Sequence, residues 1–180
     1  LGERAEIIVR GTGVVESEGT RIQLTNGSLD VEAGGRIEVS RGSAVYMSGS
    51  TETDTFVATI AGTVLAQGEA HGFNLTSDYA TINLLSGGSI RAISTGSNPR
   101  HAIVASGNSD LNLNGTVETS GASQSHAVLV FGRNTAVTIG PDGSIITHAA
   151  QSSGIMSQVG DATIVVENGG EITAEGDNAF

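Results

Sequence analysis

The stretch "GTVETSGASQSHAVLVFGRNTAVTIGPDGSIIT", Gly115–Thr147, opens on Gly-Thr-Val-Glu-Thr and returns 28 positions later (143 − 115) to Gly-Ser-Ile-Ile-Thr. Two further apolar runs lie between, "HAVLV" from His126 and "AVTI" from Ala136. The same opening phrase, Gly-x-(Val/Ile)-x-(Ala/Thr/Val), recurs at Gly35, Gly62, Gly88, Gly115, Gly143 and Gly170, at intervals of 26 to 28 residues. A fixed period of this length is the mark of a solenoid or array, because one unit cannot bury its apolar face alone.

Each unit reads as three short alternating strands separated by Gly, Asn, Asp and Ser. The first holds Ile37, Val64, Ile90, Val117, Ile145 and Ile172 in phase. The second begins at Ser43, His71, His101, His126 and Ser153, and the last unit reaches it at Asn178–Phe180. The third is "ATINL" from Ala80, "DLNL" from Asp110, "AVTI" from Ala136 and "ATIVV" from Ala162, with "TFVATI" from Thr55 fitting less cleanly. Residues 1–34 read as further strands in looser register, and 35–180 as regular rungs of the same single segment.

Three strands and three turns per unit predict a right-handed, three-faced parallel β-helix, the hand following from the crossover rule. At about 3.3 Å per residue a rung has a contour near 90 Å, and six to seven rungs stacked at about 4.8 Å make a rod on the order of 30 Å long. The composition agrees: 26 Gly, 2 Pro, no Trp and only 3% aromatics suit a narrow column filled by ladders of Val, Ile and Leu. Gly is expected at tight corners needing positive φ. The first corner varies most, from "SRGS" at Ser40–Ser43 to "ISTGSNPRH" at Ile93–His101, and such variable edges of solenoids often carry function.

A formal net charge of −11 and the lack of a basic patch argue against nucleic acid and anionic lipid as partners. No apolar run approaches the roughly 18 residues of a membrane span, so direct insertion by this segment is not expected. The chain opens on Leu1 and is expected to be a segment of a longer protein.

The phrases Gly-x-Ile-x-Ala, then small-apolar-apolar, then Ala-Thr-Ile-x-Leu, then Asn-Gly-Gly resemble the autotransporter passenger domains of Gram-negative bacteria, the pertactin-like class. The resemblance covers Gly35–Phe180 well and the first 34 residues loosely. It implies export through an outer-membrane barrel and display at the cell surface. The absence of cysteine is consistent with passage through an oxidising periplasm. Two-partner secreted haemagglutinins have similar solenoids.

His71, His101 and His126 fall at one place in three successive rungs, and stacked imidazoles suggest a metal site, a pH sensor or, more simply, a polar corner bonding the turn. No carboxylate or cysteine recurs beside them, and His148 lies off the ladder, so no metal or cofactor is expected. Asp78, Asn108, Asn134 and Asp161 recur in the second turn, where short polar side chains satisfy backbone groups and tolerate left-handed φ. Polysaccharide cleavage would need two carboxyls about 5–10 Å apart. Glu38 and Glu118 are separated by two intervening rungs, the third strand points Asn83, Asn112, Thr138 and Val165 outward, and no Gly-x-Ser-x-Gly occurs, so catalysis is not expected.

The second strand is the most informative surface. With Val45, Phe73, Ile103, Val128 and Ile155 inside, the outward row is Tyr46, Asn74, Val104, Leu129 and Met156; the opposite phase puts Ile103, Val128 and Ile155 outside. Tyr46, Val104, Leu129 and Met156 are therefore the candidate interface, to be met by a partner or by a neighbouring loop. The expected role is adhesion: binding a host surface protein or glycan, or another copy of the passenger. A stalk lifting a distal domain, and a fragment of a polysaccharide-degrading enzyme, are the alternatives.

Overall fold

The computed structural model describes residues 5–19, 22–76, 79–158 and 160–179. Asp78 and Phe180 therefore lie outside the described residues. The described chain is all β and winds as a parallel β-solenoid of about six turns with roughly 27 residues each. The first turn holds β1 (Ala5–Val9), β2 (Val14–Ser17) and β3 (Ile22–Leu24). The next two hold β4 (Gly27–Val31) with the long β5 (Arg36–Met47), then β6 (Phe56–Ile60) with the long β7 (Thr63–Leu75). Then follow β8 (Ala80–Leu84), β9 (Ser89–Ser94) and β10 (Ile103–Ala105). The next turn has β11 (Asp110–Leu113), β12 (Thr116–Ser120) and β13 (Val128–Val130). Last come β14 (Ala136–Ile139), β15 (Ser144–Thr147), β16 (Ile155–Ser157), β17 (Thr163–Val166) and β18 (Glu171–Ala174).

Every named strand pairs in parallel with its counterpart one turn away, which gives three columns. The first face is β2, the start of β5, the start of β7, then β9, β12, β15 and β18. The second is β3, the ends of β5 and β7, then β10, β13 and β16. The third is β1-β4-β6-β8-β11-β14-β17. The first and second faces form one sheet, because β5 and β7 run unbroken round the corner between them.

The pairing also accounts for the loose start. Val15 pairs with Ile37, 22 positions on (37 − 15), whereas Ile37 pairs with Val64, 27 positions on (64 − 37). "GVVES" at Gly13 is thus a true unit on a shorter turn, hidden from a search at constant period.

The core is a set of ladders: Ile37, Val64, Ile90, Val117 and Ile145 are each wholly buried. Two aromatics enter a column filled mainly by Val, Ile and Leu: Phe73, in the inward phase expected of it, and Phe56, and neither has exposed surface. Phe56 fits because its register neighbours are Gly27 below and Ala80 above, a large side chain between two small ones. The recurrent glycine also has a different cause from the one expected. A Cβ on Gly62 would meet the Gly35 carbonyl oxygen at 2.3 Å, and one on Gly115 would meet that of Gly88 at 2.4 Å. Close approach of one rung's backbone to the last forbids a side chain there, and it is the preceding glycine, as at Gly87 (φ 80°), that takes the left-handed turn.

Candidate functional site

The corner from first to second face sets the site. Measured between core positions that pair in register, it takes six steps from Val39 to Val45 and seven from Ala66 to Phe73. From Ala92 to Ile103 it takes eleven, so β9 and β10 are separated by a loop where β5 and β7 ran straight through. These loops stand beside the second face in the later turns.

On that face Val45, Phe73, Ile103 and Val128 point into the core and are wholly buried, and Ile155 packs against it, which settles the phase. Tyr46, Asn74, Val104, Leu129 and Met156 form one outward row in register. The row is largely covered: Val104 is 8% and Leu129 4% exposed, while Tyr46 and Met156 are half-buried. Tyr46 accepts a hydrogen bond from Thr76 Oγ1 at 3.1 Å. The large apolar side chain open to solvent nearby is Phe131, at 46%.

Leu129, Met156 and Phe131 line a groove of about 670 Å3, with Pro99 of the long loop. Tyr46 and Val104 do not line it, so the structure splits the candidate interface in two. Gln124, Gln151, Gln158 and Asn178 supply amides to the groove. Gln124, Gln151 and Asn178 occupy one place in successive turns, with φ of 62°, 52° and 55°. The Gln124 N–H donates to the Ala150 carbonyl and the Gln151 N–H to that of Asp177, which holds these corners in a left-handed conformation that costs non-glycine residues energy. The sequence reading missed this row. Its signal was "QSH" at Gln124 and "QSS" at Gln151, each two positions before the start of the second strand, and the same step of 27 leads to Asn178, which therefore lies on the corner and not at the strand start expected of it.

His101 and His126 complete the lining. The histidine ladder is the polar corner expected: ring centroids lie 5.4 Å apart from His71 to His101 and 5.5 Å from His101 to His126, stacked face to face. Each Nδ1 accepts the backbone N–H one rung on: His71 from His101 at 3.1 Å, His101 from His126 at 3.0 Å, His126 from Ser153 at 2.9 Å. An Nδ1 that accepts leaves the proton of a neutral ring on Nε2. Burial, then the Arg100 guanidinium, lowers the His71 pKa to about 4; burial, then the two neighbouring imidazoles, lowers that of His101 to about 3; burial also lowers His126. The ladder is neutral at pH 7.

Other groups are placed as follows. Asn108 and Asn134 take φ of 48° and 56°, and Asn134 Nδ2 donates to Asn108 Oδ1 at 3.1 Å. Asp161 lies 3.8 Å from Arg133. Glu118 pairs with Arg91 at 2.9 Å, and His148 bonds Glu175 at 2.8 Å. Glu38 keeps Arg36 at 2.6 Å and stands in register with Glu16, a juxtaposition that the shorter first turn had hidden. Among the described residues no group of three or more His, Cys, Asp or Glu is arranged to hold a metal ion.

Comparison of this chain with protein-family models, with curated proteins and with solved structures returns no match.

Proposed function

We propose that this β-solenoid is a surface-displayed segment of a bacterial autotransporter passenger, and that it acts as an adhesin. The observation that carries the reading is the groove beside the second face, where Leu129, Met156 and the exposed Phe131 meet a rim of amides on the most variable corner of the coil. Concave sites with an apolar floor and a few placed polar groups are the usual form of binding sites. The cysteine-free composition and the 26–28-residue units support the secretion route. Binding proceeds by shape and side-chain complementarity, with no bond-making step assigned to this segment.

The test is adhesion of beads bearing the purified chain, to each other and to epithelial monolayers, beside beads bearing Phe131→Ala. The exposed ring makes this variant one that leaves the core intact, which circular dichroism checks. Adhesion reduced at least tenfold in the variant supports the reading. Wild-type beads that adhere no better than bare beads overturn it in favour of a stalk, a role for which a largely polar exterior suffices.

A further inference from the structure

We infer that the groove lined by Phe131, Leu129 and Met156 takes a neutral oligosaccharide, laid along the solenoid axis; this rests on the adhesive reading above. Three properties of the site point to that chemistry. First, among the described residues its lining carries no formal charge, on a chain whose net charge is −11. The amides of Gln124, Gln151, Gln158 and Asn178 both donate and accept, and His101 and His126 add imidazoles whose proton sits on Nε2. With no Lys or Arg in the lining, an acidic ligand finds no counter-charge and is repelled by the surrounding field. A sugar asks for this kind of rim, since its hydroxyls are donors and acceptors without charge.

Second, the floor is apolar. A pyranose has a C–H face beside its hydroxyl edge, and the 46%-exposed Phe131 ring offers a surface to meet it. A protein partner would need a much wider contact, typically about 800 Å2 on each side. Here Val104 and Leu129 are already covered, and the open apolar surface narrows to Phe131 and part of Met156. Third, the rim repeats. Gln124, Gln151 and Asn178 are successive-turn equivalents, so their amides advance by about 4.8 Å per rung. A polymer of like units meets like groups at each step. The volume of about 670 Å3 suits a few sugar units.

The experiment is binding of the purified chain to a printed panel of neutral gluco-, galacto-, manno- and N-acetylglucosamine oligosaccharides, with sialylated and uronate oligosaccharides as charged members. Phe131→Ala and Gln151→Gly remove the floor and one amide, glycine keeping the left-handed φ; Leu85→Ala, on an equally open apolar residue away from the groove, is the control. The expected result is binding to at least one neutral series, weakened tenfold or more by each groove variant, unchanged by Leu85→Ala, and insensitive to salt. Binding confined to charged members overturns the proposal, as does neutral binding that the groove variants leave unchanged. If no neutral member binds while the beads still adhere, the ligand class is wrong and adhesion stands. If the beads fail as well, both readings fall.

Discussion

The turns built on β5 and β7 and those built on β9 to β16 share one inner ladder and differ on the outside. In the early turns the backbone rounds the first corner as continuous strand, leaving no ledge beside the second face. In the later turns the corner takes eleven steps from Ala92 to Ile103, nine from Thr119 to Val128 and eight from Thr147 to Ile155, and the groove lies against the loops it forms. The lesson is one of separable constraints. Core positions are held by stacking on the rung before and the rung after. A corner is held only by its two ends, and lengthening a loop costs little free energy.

The sharpest way to break the shared part is at a rung-to-rung contact. Gly62→Ala should destabilise by about 3 kcal/mol or more, because its Cβ meets the carbonyl oxygens of Gly35 at 2.3 Å and Glu32 at 2.5 Å. Urea unfolding followed by circular dichroism reads this directly, and a loss below 1 kcal/mol would deny the close approach. Phe73→Ala, in the core, should cost about 3–5 kcal/mol. The same change at Phe131 should cost under about 1 kcal/mol, since that ring already meets water.

The histidine ladder bridges the two regions, and pH is its probe. Its rings titrate at about 4 (His71) and about 3 (His101) when folded, against 6.5 when free, so the unfolded chain takes up protons first. Stability from these groups is full above pH 6.5 and declines as pH falls towards 4 and then 3. His101→Ser, the residue that Ser43 and Ser153 already supply at this place, should cost about 2 kcal/mol at pH 7 by leaving the His126 N–H without its acceptor. It should also flatten the decline between pH 6.5 and 4 in denaturant titrations. An unchanged slope would remove the ladder from the acid response.

The smallest effect on stability is expected from the change that most alters the groove. Deleting residues 96–99 brings the eleven-step corner to seven, the length found in β7. Unfolding free energy should move by less than about 1 kcal/mol. Ligand binding and bead adhesion should fall at least tenfold, because Pro99 leaves the groove wall. Binding that survives the deletion would show that the floor alone suffices.

Much of the fold was legible because a β-solenoid repeats its core. Ile37, Val64, Ile90, Val117, Ile145 and Ile172 announce one column by period alone, and the structure stacks them in register. The start was hidden because its first turn is 22 positions rather than 27, which displaced Glu16 from its place beside Glu38. The burial of Phe56 was hidden because its space is made by residues on other rungs, Gly27 and Ala80. The histidine corner was readable, since each ring sits just before an alternating run. The groove was half legible: Leu129 and Met156 were singled out for their apolar outward phase, and Gln124, Gln151 and Asn178 recur every 27 positions (151 − 124, 178 − 151), but the period does not say that they, Phe131 and Pro99 close on one hollow.

The parallel stacking of every rung has a mechanical side. The backbone hydrogen bonds joining rungs, such as Thr63 N–H to Gly35 O and Thr116 N–H to Gly88 O, run from one turn to the next along the coil axis. Tension applied between the two ends loads them turn after turn in series, so the coil peels from whichever end is pulled, and each released turn pays out about 90 Å of slack. A cell tethered through such a coil would have a shock absorber that gives way in even steps, and the covered turns would keep their groove until the peeling front reached them.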